Sequence, residues 1–243
     1  MFEFLVTAFD FALYRPLFNA LILIYNYLPG HDFGLAIIIL TILIKLILYP
    51  LSVKALNSQV AMQKLQPKLQ EIQKKYKDDK EQQAKETLEL YRTEKINPFS
   101  GLFLAVLQLP ILIALYRVFW RGLKPEELGL LYGFVGNPQH INTMFFGILD
   151  LTHPNFILAL AAGILQFFQT KMLMPKIKKE KGEARDIATM MQTQMTYIFP
   201  VITVIILMKL PSALGLYWIA SGIFSIAQQY ILMKPKKEAV VKL

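Results

Sequence analysis

One lysine sits where a lysine is costly. Lys45 follows Ile37-Ile38-Ile39-Leu40-Thr41-Ile42-Leu43-Ile44, a run that is apolar except for Thr41. An ammonium at bilayer depth costs roughly 2.5–3.5 kcal/mol on insertion scales, so it needs either polar neighbours or a way out. Thr41 lies four residues earlier and so shares its helix face. Other apolar runs carry Gln108, Gln166, Gln169, Tyr217, Ser221, Gln228 and Gln229. Each alone reads as an interhelical hydrogen bond. Gathered around Lys45, they would line a wet, positively charged cavity. A second reading stands beside this one: Lys45 lies well along its run, where a four-carbon stem can snorkel to the nearer headgroups.

Covalent and metal chemistry have little to build on. The chain has no cysteine, which removes disulfides, thiol nucleophiles and thiolate metal sites. Its three histidines, His31, His140 and His153, lie near the expected ends of apolar runs without metal-ligand spacing. No Ser-His-Asp arrangement, catalytic carboxylate pair or phosphate-cradling glycine loop is present. We expect neither an enzyme nor a cofactor.

The elements that must position these polar groups follow from composition. Of 243 residues, 55% are hydrophobic and 18% charged, a balance that suits lipid as solvent. The net charge of +9 is concentrated in short stretches, which argues against a DNA-binding surface. A spanning helix needs roughly 20 mainly apolar residues, and five runs qualify: 32–51, 98–120, 154–174, 187–208 and 211–233. Only Lys209 and Leu210 separate the last two, which therefore form a tight antiparallel hairpin.

Loop charges orient the array. Residues 52–97 carry ten Lys and Arg, residues 171–186 carry six, and the tail 234–243 carries four. The alternate loops offer chiefly Arg121, Lys124 and Lys209. Cytoplasmic loops hold the excess of these residues, so the expected N-terminus is outside and the C-terminus inside. Residues 1–30 begin with an acid, are interrupted by Asp10, Arg15 and Pro16, and carry Tyr14, Tyr25 and Tyr27. We read them as an uncleaved interfacial amphipathic helix, with a bent sixth span as the alternative.

Between the first two spans, Met62, Leu65, Leu69, Ile72 and Tyr76 recur at three- and four-residue spacing, and Ala84, Leu88, Tyr91 and Lys95 continue it. This predicts a cytoplasmic helical hairpin over 58–97, with Asp78 capping its second helix. The segment from Arg121 to His153, rich in Gly and Pro, is expected to lie along the membrane surface.

The stretch from Gly34 to Leu51, GLAIIILTILIKLILYPL, resembles the first core helix of the YidC-type insertases, relatives of the mitochondrial oxidase-assembly and chloroplast Albino proteins. Further segments are similar to the same family. Leu65-Gln66-Pro67-Lys68-Leu69 looks like the start of its cytoplasmic hairpin. Lys95-Ile96-Asn97-Pro98 and the run from Gln108 to Tyr116 look like its second core helix, and Leu210 to Ser221 with Ile226 to Tyr230 like its last.

The resemblance implies an all-α polytopic membrane protein with a five-helix core, a hydrophilic groove open to cytoplasm and lipid, and a cytoplasmic hairpin. It implies that Lys45, Thr41, Gln108 and Trp218 belong to the groove, with a lysine where relatives usually carry arginine. That exchange keeps the charge but loses the planar five-donor fork. It also implies residence in the bacterial inner membrane and insertion of newly made membrane proteins, with a Sec-type translocon, ribosome or targeting factor as partners. A small secondary transporter or channel is the rival class, and a structural assembly subunit the third. Neither paired interrupted helices nor an acid within a span supports the transporter.

Overall fold

The computed structural model describes residues 2–97, 100–122, 124–173 and 187–233. The basic stretch at 174–186 and the tail at 234–243, both used above to orient the chain, lie outside these.

A helix opens the chain: α1 (Phe2–Phe9) passes through a π-helical turn (Asp10–Tyr14) into α2 (Arg15–Tyr27) without leaving helical backbone angles. The π-turn precedes Pro16, which has no N–H to donate and whose ring crowds the preceding turn. A widened turn accommodates both. Leu28 ends the helix in extended conformation, and Gly30 (φ 75°) turns the chain where a Cβ would be strained. Val6–Tyr27 is long and apolar enough to cross a bilayer.

Asp32 then caps α3 (Phe33–Ile47), its Oδ1 accepting from Leu35 N at 2.8 Å. α4 (Tyr49–Lys75) follows after only Leu48, turned by 66°. Pro50 sits in its first turn, where the missing donor is tolerated at a helix start but ends the ladder of α3. The helical run to Leu51 is thus two helices.

α5 (Lys80–Thr93) completes the hairpin, and its cap corrects the sequence reading. Asp79, not Asp78, accepts from Gln82 N, at 2.9 Å. The inward face also differs in phase: Ala84, Leu88 and Lys95 are exposed, whereas Gln83, Thr87 and Leu90 are half-buried together with Tyr91, the one member of the expected stripe that faces inward. With no fully buried side chain in α5, the apolar spacing was too sparse to set its rotation.

α6 (Ser100–Trp120), α7 (Phe156–Met172), α8 (Ile187–Leu207) and α9 (Ser212–Met233) complete the bundle. The turn between α8 and α9 is tight, yet the two share few contacts because α7 packs along both. Glycines permit this closeness. Gly163 of α7 meets Val204 and Pro200 of α8, while Gly215 and Gly222 of α9 meet Leu158 and Leu165 of α7.

Residues 124–153 form a strap over one end of the bundle, with a 3-10 turn at Pro125–Leu130 and a small antiparallel ladder of β1 (Met144–Phe145) and β2 (Leu149–Asp150). The first helix serves as its hydrogen-bonding scaffold. Asn19, nearly fully buried, donates to Leu130 O and accepts from Tyr132 N, Asn26 donates to Gly136 O, and Tyr25 OH accepts from Asn142 N. Tyr14 OH donates to Glu127, and Arg117 of α6 pairs with Asp10 while stacking over Tyr14. The strap also caps α9: Ser212 N and Ala213 N donate to His153 O and Leu151 O.

Asp150 gathers the strap's own hydrogen bonds. Burial pushes its carboxyl up, but donors from Thr152 N–H and hydroxyl, Thr143 hydroxyl and His153 outweigh that and hold it at about 2. A carboxyl depressed on folding stabilises above its ordinary pKa near 4, and that contribution is lost as pH falls toward 2. Pepsin cleavage of the strap should therefore accelerate between about pH 4 and 2 in the native chain, and follow a flatter profile in Asp150→Asn.

Candidate functional site: a polar cavity at the hairpin end of the bundle

Buried side chains concentrate at the strap end. Phe18, Leu21 and Ile22 of α2, Phe33 and Ile37 of α3, Leu115 and Val118 of α6, and Leu214 of α9 are each at most 1% exposed. Toward the hairpin end the same bundle turns polar and encloses a cavity of about 670 Å³. α3, α4, α6, α7 and α9 all contribute to its wall; among the described residues none from α8 does.

The cavity is organised by one face of α9. Tyr217, Ser221, Ser225 and Gln229 recur every four residues, with Trp218 and Gln228 beside them, so a polar stripe runs about 18 Å along the helix. Its rungs reach four different helices. Tyr217 OH accepts from Gln108 of α6, and Trp218 Nε1 donates to Gln166 Oε1 of α7 at 3.2 Å. Ser225 Oγ accepts from Lys45 Nζ of α3 at 3.2 Å, and Gln228 Nε2 donates to Ser52 Oγ of α4 at 2.7 Å. Gln229 Oε1 is buried without a partner among the described residues.

Of the residues singled out in the sequence, Lys45, Gln108, Gln166, Gln169, Tyr217, Trp218 and Ser221 line this one cavity, as do Gln228 and Gln229. Thr41 does not. It is 1% exposed, and its hydroxyl donates to Ile37 O within its own helix, which satisfies it away from the cavity. The polar stripe expected of Thr41 and Lys45 is therefore reduced to Lys45.

In the hairpin, Leu65 and Leu69 are buried, Met62, Ile72 and Tyr76 are half-buried, and Pro67 is exposed within α4. None of these lines the cavity; Ser52, Ala55, Leu56 and Gln59, earlier in α4, do. Gln63 donates to Leu173 O at the end of α7, so α4 bridges the mouth of the cavity.

Ser225, Ser52 and Gln59 escaped the sequence reading. Ser225 was recoverable, because it continues the four-residue interval from Tyr217 through Ser221. Ser52 and Gln59 were not, because they reach the cavity only through the turn at Leu48. Arg117 was also missed, its run having been read for apolarity alone. Among the described residues no carboxylate lines the cavity and none pairs with Lys45. No group of three or more His, Asp or Glu there could hold a metal ion.

A bundle of largely apolar helices around a charged, amide-lined cavity defines a class: an all-helical membrane protein. Comparison with known proteins narrows it, because residues 23–239 match the family described as 60Kd inner membrane protein. The chain belongs to that family. It is 36% identical over 203 residues to a membrane protein insertase YidC of Fusobacterium nucleatum, covering 84% of this chain and 87% of the relative. It is 34% identical over 212 residues to the membrane protein insertase MisCA of Bacillus subtilis, covering 86% and 73%. A YidC of Syntrophus aciditrophicus is 36% identical over 221 residues, which are 90% of this chain but 36% of that longer protein.

Proposed function

We infer that this protein is a membrane protein insertase of the bacterial inner membrane, and that the polar cavity is the groove through which it works. The observation that carries the mechanism is a lysine with no carboxylate partner among the described residues, held among glutamines and hydroxyls at the hairpin end of an otherwise apolar bundle. A polar segment crossing lipid must shed its water, at several kcal/mol for each unsatisfied group. A wet groove part-way into the bilayer shortens the dry distance. Lys45 attracts carboxylates in the translocated segment, and the amides and hydroxyls exchange hydrogen bonds with its backbone. No bond is made or broken, so the protein is not an enzyme.

In this reading α3, α6, α7, α8 and α9 are the five spans. The groove opens to cytoplasm and lipid and is closed at the strap end. The ten basic residues at 52–97 support a cytoplasmic hairpin, hence an N-terminus outside and a C-terminus inside. The first helix lies on the outer surface. Although long enough to span, it makes its polar contacts through Asp10, Tyr14, Asn19, Tyr25 and Asn26 to the strap or to Arg117, one turn from the strap end of α6. The hairpin meets the nascent chain, a ribosome, a targeting factor or a Sec-type translocon before the groove does.

Reconstitution tests the class. Purified protein in liposomes should drive insertion of a small single-span substrate with an acidic translocated segment, without accompanying ion or solute flux. Flux without insertion would replace this reading with a transporter or channel.

A further inference from the structure

Lysine is a poor anchor for a charge in a groove. Its ammonium sits on a flexible stem, and nothing in its shape fixes where it rests. From α3 it can turn toward the headgroups at the hairpin end, where hydration is cheaper, and leave the groove uncharged at depth. Something must oppose that drift, and no carboxylate does so among the described residues.

The hydrogen bond that Lys45 Nζ makes is to Ser225 Oγ, at 3.2 Å and across 180 residues of sequence. Ser225 is 9% exposed. On the strap side of it, α9 is tied to α6 and α7 through Tyr217 and Trp218, and on the hairpin side to α4 through Gln228. Gly222, one turn earlier, lets α9 sit close against Leu165 of α7. The hydroxyl is therefore a stationary acceptor on a braced helix, facing a mobile donor. A serine oxygen accepts while its proton is free to donate elsewhere, so the contact leaves the charge of the ammonium intact and its other two N–H donors available.

We propose that Ser225 is the positioning residue for this charge: it holds the Lys45 ammonium at depth against α9 and thereby sets the preference for substrates whose translocated segment carries carboxylates. The inference rests on the insertase reading above. It concerns a need peculiar to lysine, since a guanidinium has five donors in a fixed fork and can brace itself on several groove acceptors at once.

The experiment uses the full-length protein in liposomes and two versions of one single-span substrate. In one the translocated segment carries Asp and Glu; in the other the same positions carry Asn and Gln. The readout is the ratio of their insertion rates. Ser225→Ala should lower the acidic-to-amide ratio about tenfold, the scale of a lost hydrogen bond to a charged group. Ser225→Thr, which keeps the hydroxyl, should restore the ratio, and Ser225→Ala should leave it unmoved in a Lys45→Arg background.

An unchanged ratio in Ser225→Ala, including a parallel fall in both rates, would reduce Ser225 to packing and overturn the proposal. Lys45→Ala separates the two levels of argument. If it lowers the ratio while Ser225→Ala does not, only the positioning role fails. If it leaves the ratio unmoved, the charged-groove reading fails and the positioning role with it.

Discussion

Lys45→Ala is expected to slow insertion of substrates with acidic translocated segments by about tenfold, and Lys45→Arg to preserve it. Two unit charges about 4 Å apart attract by about 4 kcal/mol at an effective dielectric near 20. Water in the groove screens much of this, and a third of it surviving corresponds to about tenfold in rate. Alanine removes the attraction and also the charge that draws water into the cavity. Arginine keeps both, with donors to spare for Ser225 Oγ. Insertion rates in liposomes measure the effect, and complementation of a depleted strain checks it at native expression. Full activity of the alanine variant on an acidic substrate would sink the electrostatic role of Lys45.

The second large effect is on stability. A Cβ built on Gly163 comes within 2.4 Å of Val204 Cγ2 and 3.1 Å of the Pro200 carbonyl oxygen. The valine can turn aside; the backbone of α8 cannot without moving the helix. Overpacking of this kind costs about 1–3 kcal/mol, so Gly163→Ala should lower the midpoint of thermal unfolding in detergent, and Gly163→Leu should lower it further. Pairing Gly163→Ala with Val204→Ala should recover only part of the loss, because the carbonyl contact remains. Gly129 and Gly133 of the strap have open space where a Cβ would stand, so their alanine variants are controls that should unfold with the native chain.

The consequence for function follows from where α8 stands. None of the described residues lining the cavity belongs to α8, while α7 carries Gln166 and Gln169 and packs along both α8 and α9. Loosening the α7–α8 crossing is therefore expected to reach the cavity through α7. A partly destabilised Gly163→Ala protein should keep its preference between acidic and amide substrates even as its rate falls.

How much of this could be read in advance depends on whether a feature is local. The helices α6 to α9 are visible as apolar runs, because hydropathy over a run of that length reports burial in lipid or core without reference to the fold. The helix across the first 27 residues was harder. Asp10, Arg15 and Pro16 look like breaks, yet a π-turn absorbs the proline, and Arg117, Glu127 and Leu130 O supply partners from more than 100 residues away. α5 shows the limit of periodicity: a stripe of Ala84, Leu88 and Tyr91 marks a helix, but only Tyr91 falls on its half-buried side.

The site divides in the same way. The sequence by itself determined that this chain places a lysine and a set of amides and hydroxyls on apolar helices, because residue type and helical period are local properties. It could not decide whether Lys45 snorkels alone or shares a cavity, since both readings assign it the same helix. Only the tertiary structure decided that. The packing of α9 against α3, with Ser225 facing the ammonium, joins the lysine to the polar stripe, while the hydroxyl of Thr41, one turn away, is satisfied within its own helix. The physical reason is that a hydrogen bond across 180 residues is set by how helices cross, and crossing depends on contacts between faces that no single stretch of sequence contains.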